Sequence, residues 1–247
     1  MGWLKLKEYG LKEAYIRKLM KEFGAYSDMF IASNFNLFSD KFKSTLEKVD
    51  KVDVSRILET HNKSSVRIIS AKDNEYPSDI KKLVDFPTFL YVKGNEMHRE
   101  RKIAVVGTRK VTKFGKASCE KIVKDLLEYD ITIVSGLAEG IDTIALNIAV
   151  QKNNNPIAIV GTGLDIVYPF ENREIWEKIG REGTIISEYP LGTSAQKWNF
   201  PKRNRLIAAI SNGVLVAESF HRGGSLITAE LAYSLDKEIF AIPGFIT

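Results

Sequence analysis

The chain has one cysteine, Cys119, in 247 residues. A disulfide framework is therefore excluded, and a reducing setting, the cytoplasm, is expected. No run approaches the roughly 18 apolar residues of a membrane span. The opening segment, MGWLKLKEYGLKEAYI, lacks the apolar stretch of a secretory signal. No membrane partner is expected. The three histidines, His61, His98 and His221, are scattered without metal-ligand spacing, so no metal is expected. There is no GxxxxGK[ST] motif, because Gly115-Lys116-Ala117 has neither the spacing nor the hydroxyl. There is no GxSxG nucleophile elbow. These absences leave no catalytic residue to name and no P-loop hydrolysis to expect.

Charge is short of one sign only in places. The net value is +5, and residues 1–102 carry all of the excess, with 20 basic against 15 acidic side chains. Residues 103–247 hold 16 of each. Two stretches nevertheless contain cations and no carboxylate. Arg101, Lys102, Arg109, Lys110, Lys113 and Lys116 lie between Glu100 and Glu120. Lys197, Lys202, Arg203 and Arg205 lie between Glu188 and Glu218. A charge run is usually a solvated face. Two acid-free runs on loops beside strand ends point instead to an anionic ligand.

Hydrophobic periodicity divides the chain. Residues 1–62 read as short helices, with Leu11, Ala14, Tyr15, Leu19 and Phe23 at helical spacing and Gly24 as a stop. Ser39-Asp40 and Asp53 are placed to cap two more. Such a bundle fits a small helical module of the SAM or helix-hairpin-helix kind, serving packing, interaction or DNA binding. Val66–Ile69 and Phe89–Val92 read as strands that extend a sheet. Near-continuous apolar strands follow at 103–106, 131–134, 156–160, 184–186, 213–217 and 239–242, and helices alternate with them. The expected fold class for 63–247 is therefore α/β, an extended Rossmann-like, mostly parallel sheet with helices on both faces. Ligands of such sheets sit beyond the carboxyl ends of the strands.

Five loops fall there. Val106-Gly107-Thr108-Arg109 turns into a helix N-terminus, and Arg109 offers a bidentate phosphate fork. The 135–142 loop sets Gly136 and Gly140 so that amides face an anion, with Asp142 expected to hydrogen-bond the loop. The third, Gly161-Thr162-Gly163, begins like GxGxxG, but Ile166 stands at the third glycine. The strand after the first helix ends in Ser135-Gly136, not in the acid that holds a ribose. No dinucleotide or other cofactor is expected. The fourth, Lys197 to Arg205, interleaves Trp198 and Phe200 with cations, the pattern of single-strand binding by phosphate contact and base stacking. Its bland reading is that Phe200 plugs the core and the arginines form ion pairs. The fifth, Gly223-Gly224-Ser225, reads as a turn with Ser225 capping a helix from Leu226. A hydrolytic alternative, a nucleotide-ligand hydrolase or sensor, would need carboxylates such as Asp142, Asp165, Glu188 and Glu218 to meet in space.

In order and spacing, VGTRKVTKFG (106–115), SGLAEGID (135–142), GTGLDIVYPFEN (161–172), ISEYPLG (186–192), FPKRNRLIAAIS (200–211), GGSLITAELA (223–232) and AIPG (241–244) resemble the bacterial DNA-processing protein A, or Smf, family. DNEYP (73–77) and LYVKG (90–94) extend the likeness. The resemblance implies an extended Rossmann fold that binds single-stranded DNA without a cofactor, forms a homodimer, and loads the RecA recombinase onto incoming DNA in natural transformation. By motif position it implies a DNA pocket lined by Arg109, Lys197, Phe200, Arg203, Asn204 and Arg205, with Gly107, Gly136, Gly161 and Ser225 in the surrounding loops. Members usually continue beyond Phe245-Ile246-Thr247 with a further strand and helix, so a short C-terminal end relative to the family is expected.

Overall fold

The computed structural model describes residues 2–97, 101–221 and 223–244. His98 and the Phe245-Ile246-Thr247 end lie outside the described residues. Short helices come first: α1 (Gly2–Glu8), α2 (Glu13–Glu22), α3 (Ala32–Phe35), α4 (Asp40–Asp50) and α5 (Ser55–Lys63). Ser39 caps α4 as expected, its hydroxyl accepting from the Phe42 amide at 3.3 Å. Two strands follow, β1 (Val66–Ser70) and β2 (Phe89–Gly94), and then β3 (Lys102–Gly107), β4 (Thr132–Ser135), β5 (Ile157–Val160), β6 (Thr184–Ser187), β7 (Gly213–Glu218) and β8 (Glu238–Ala241). Between them run α6 (Lys113–Leu127), α7 (Ile141–Gln151), α8 (Arg173–Glu182), α9 (Asn199–Ile210) and α10 (Gly224–Tyr233).

The eight strands form one sheet in the order β1-β2-β6-β5-β4-β3-β7-β8. From β6 to β8 all neighbours are parallel, because a helical crossover separates each strand from the next. β1 and β2 add to the β6 edge antiparallel, with Tyr91 opposite Ser187 and Val92 opposite Ile186. This is the expected Rossmann-like class, with the connector strands widening the sheet.

Strand alternation sends side chains to two faces. Ala104, Val106, Val134, Ile157, Ile159, Val214 and Val216 point to the face covered by α9 and α10. Val105, Ile133, Leu215 and Ala217 point to the face covered by α6 and α7, where Cys119 is buried. Ala158, Val160 and Ile185 meet α8 and the outer part of α7 on that same side. The N-terminal helices share the first core: Trp3, Leu4, Ile16, Leu19 and Leu46 join the apolar cluster that holds Ile69, Leu90 and Val92. Glu13 reinforces the join by accepting from the Thr88 hydroxyl and amide at 2.6 and 3.1 Å.

Boundaries shift in three places near the strand ends. α8 begins at Arg173, after a 3-10 turn at Phe170–Asn172. α9 begins at Asn199, so Pro201 is its third residue rather than its first, still within the turn whose N–H groups need no helical partner. α10 begins at Gly224 with Gly223 at the cap position, so Ser225 is not its N-cap.

The strand order has one reversal. β4, β5 and β6 spread from one side of β3, while β7 and β8 spread from the other. At such a switch point the two flanking crossovers leave in opposite directions and open a crevice beyond the carboxyl ends. Here that crevice lies between the loops after β3 and β7.

Candidate functional site

A cavity of about 450 Å³ occupies this crevice. Four separate stretches wall it among the described residues: Val106–Arg109 after β3, Ala138 with Asp142 after β4, Lys197 with the first turns of α9, and Phe220 with Gly223, Gly224, Ser225, Ile227 and Thr228 at the β7–α10 junction. The volume falls in the range of small-ligand pockets.

Close backbone approach is built into its floor. A Cβ on Gly107 would lie 2.4 Å from an Ile141 side-chain carbon and 2.9 Å from the Glu218 carbonyl. Gly140 has φ +83°, and a Cβ there would lie 2.3 Å from the Thr108 carbonyl. The Ile141 amide donates to that same carbonyl at 3.2 Å. The second loop is thus clamped beneath the first, and only glycine allows it.

Arg109 and Lys197 are exposed on the cavity rim, and neither forms an ion pair with a described residue. Arg203 differs. It lines the cavity but is buried, donating to the Gly136 carbonyl at 2.6 Å and to the Ile159 carbonyl. Burial pulls its guanidinium down to about 10, against the opposing pull of Asp142, and Arg109 nearby adds a like charge. Asp142 is the only carboxylate lining the cavity among the described residues. Burial raises it, while Arg203 and the amides of Ala138 and Gly136 hold it down. Those amides donate to its Oδ2 at 3.4 and 3.1 Å, the loop hydrogen bond expected of Asp142. Asp142 is paired with Arg203, and Arg109 stands beside that pair as a further positive charge, which suits the rim to an anion.

The helix end that usually takes a pyrophosphate is closed. Glu218, at the end of β7, accepts from the Thr112 amide at the start of α6 at 3.0 Å. A Cβ on Gly115 would lie 2.1 Å from its carboxylate. An internal carboxylate fills the anion position that a dinucleotide fold keeps open.

Phe200 leans on Tyr168, with centroids 5.2 Å apart and planes tilted by 33°. Gly161 lies beneath it, where a Cβ would be 3.2 Å from the ring. Gly161 therefore supports the ring and does not line the cavity. Gly136 borders a small neighbouring recess, where Arg203 and Asp142 crowd it. Asn204 lines the cavity and accepts from Arg203 Nε at 3.2 Å. Ser225 lines it too, with its hydroxyl donating to Ser219 Oγ at 2.8 Å.

Arg205 corrects the sequence reading. It is buried on the far side of α9, paired with Glu188 at 2.9 and 2.8 Å and with Asp85 at 2.8 Å. Phe200, Arg203, Asn204 and Ile207 follow the helical period along the cavity, and position 205 falls on another face. Its acidic partners come from other elements, so the lack of a carboxylate within the segment was no evidence of a free arginine. The basic run around Arg109 is also divided. Arg101 and Lys102 stand at the opposite end of β3, roughly 16–20 Å away at strand rise. The four carboxylates do not converge: Asp165 accepts from the Gly192 amide at 2.9 Å, and Asp142, Glu188 and Glu218 are engaged as described. Trp198 is exposed but does not line the cavity. Sequence reasoning missed Phe220, Ile227 and Tyr168. Phe220 had one signal, a large apolar residue in a polar loop directly before a glycine pair.

Residues 67–247 match the family model described as DNA recombination-mediator protein A. The chain is 37% identical to the DNA processing protein DprA of Streptococcus pneumoniae, over 98% of this chain and 86% of that one. It is 39% identical to protein Smf of Synechocystis over 76% of this chain and 48% of that one, so it spans about half of that relative. The crystal structure of the pneumococcal protein superposes with a TM-score of 0.80 at 35% identity, covering 100% of this chain and 88% of that one. DNA processing protein A of Helicobacter pylori, whose structure concerns its single-stranded DNA binding mode, superposes with a TM-score of 0.68 at 30% identity. It covers 74% of this chain and 82% of that one.

Proposed function

The chain belongs to the DNA recombination-mediator protein A family, and from that premise we propose that it is a non-catalytic single-stranded DNA-binding recombination mediator. The observation that carries the reading is the crevice at the strand-order reversal. Exposed Arg109 and Lys197 line the cavity there with the half-buried Phe200 ring, and among the described residues the cavity's only carboxylate is the internally bonded Asp142. Phosphates meet the two cations and the loop amides, while a base stacks on Phe200. Arg203, Asn204, Gly107, Gly136, Gly161 and Ser225 shape the walls and hold the loops.

The closed N-terminus of α6 favours this ligand over a dinucleotide. It does not exclude a mononucleotide, which the cavity volume would admit. That second reading, a nucleotide-ligand hydrolase or sensor, predicts that mononucleotides alone give the main thermal shift. Single-strand binding predicts that oligonucleotides do. The decisive measurement is affinity for single- and double-stranded oligonucleotides across a salt series. Affinity for the single strand should fall steeply as salt rises, because phosphate contacts release counterions. A flat response refutes the reading. Beyond DNA binding, the proposed role is to protect incoming DNA and load RecA during natural transformation, acting as a homodimer.

A further inference from the structure

Phe220 stands at the β7–α10 junction on the cavity wall. It is 61% exposed, and its ring meets no other ring among the described residues. An exposed phenylalanine is common, but this one lines the same cavity as Phe200, from a different wall. Its backbone is held firmly. The Phe220 carbonyl accepts from the Gly223 amide at 2.8 Å and from the Ser219 hydroxyl at 3.1 Å. Ser225 on α10 fastens Ser219 from the other side at 2.8 Å. A Cβ on Gly223 would lie 2.4 Å from Ser219 Oγ, so the turn closes this tightly only with glycine there. The result is a largely exposed aromatic ring, its carbonyl tied into a tight turn, at the mouth of the crevice that holds Arg109 and Lys197, with no ring stacked on it among the described residues. Ile227, 38% exposed, continues the apolar wall one turn into α10.

We propose that Phe220 is a second base-stacking platform, so that the crevice holds two nucleobases of a single strand, one on Phe200 and one on Phe220. This rests on the single-strand reading of the site. The chemistry that the ring recognises is a nucleobase face, which is sequence-tolerant because every base has one. The preorganised turn matters because a ring already in place loses little freedom when a base stacks on it.

The test is an anisotropy titration of full-length protein with a labelled single-stranded oligonucleotide, and with the same strand carrying abasic positions. Variants are Phe220→Ala, Phe220→Trp and Arg109→Ala. One lost stack predicts that Phe220→Ala weakens binding about 5- to 150-fold. Phe220→Trp should retain affinity, and the salt slope of Phe220→Ala should match wild type. On a strand whose stacked base is removed, wild type and Phe220→Ala should bind alike. The proposal is overturned if Phe220→Ala binds the intact strand as wild type does, or if it loses as much affinity on every abasic strand. Failure of the underlying reading looks different. Wild type would then show no salt-dependent binding, Arg109→Ala would change nothing, and both inferences would fall together.

Discussion

Replacing Arg109 with alanine should weaken single-strand binding and leave stability unchanged, whereas replacing Arg203 with methionine should first cost stability. Arg109 is exposed, forms no ion pair with a described residue, and acts on Arg203 only as a like charge, so losing it removes no attraction that holds the fold. Its removal deletes one charge-assisted phosphate contact, about 1.5–3 kcal/mol, or about 10- to 150-fold in affinity. It should also flatten the salt slope by about 0.7 for a single strand. Arg203 is 4% exposed, bonded to two strand-end carbonyls and paired electrostatically with Asp142. Methionine fills much of its volume but leaves Asp142 buried without its counter-charge and two carbonyls without a donor. Breaking a buried pair from one side costs about 3–5 kcal/mol. For a chain of this size that lowers the melting temperature by about 6–20 °C. Circular dichroism melts and anisotropy titrations at several salt concentrations measure both quantities on the same samples. The reasoning is refuted if Arg109→Ala melts as early as Arg203→Met. It is refuted equally if Arg203→Met keeps the wild-type melt while flattening the salt slope.

Three more predictions follow from the same geometry. Arg205→Met should lower stability in chemical denaturation, by at most about 3–5 kcal/mol because Lys202 at 3.5 Å still faces the buried Glu188 carboxylate that loses its two short bonds, and it should leave the salt slope of DNA binding intact. Burial pulls the Glu13 carboxyl up, but Lys7 and the Thr88 hydroxyl and amide outweigh it, so it lies below its ordinary 4.5. Its stabilising contribution is therefore present above pH 4.5 and is lost as pH falls through the lower folded value. Glu13→Gln should flatten that acid limb in pH-dependent melts. Burial, then the charges of Asp142 and Glu120, push the Cys119 thiol up to about 12. It should resist thiol reagents at pH 8 in the native protein and react once denaturant unfolds it.

The layered architecture is legible in the sequence because it depends on local periodicity. Apolar strands of four to six residues alternating with helices permit little other than a parallel sheet covered on both faces. The glycines at 107, 136 and 140 were legible for a related reason: close approach and a positive φ restrict a position to one residue type. Ser39 could be read as a cap because an N-cap acts within three residues of itself.

What only the tertiary structure decided is which charges are free. Arg109, Arg203 and Arg205 are the same residue type in similar acid-free stretches, yet one stands at the rim, one holds two strand ends, and one is buried against Asp85 and Glu188. The partners lie 120 and 17 residues from Arg205, so no reading of its own segment finds them. Glu218 closing α6 and Phe220 lining the same cavity as Phe200 from another wall are of the same kind. Periodicity is local and survives in one dimension. Satisfaction of a charge, and the wall of a cavity, are sums over elements that meet only after folding.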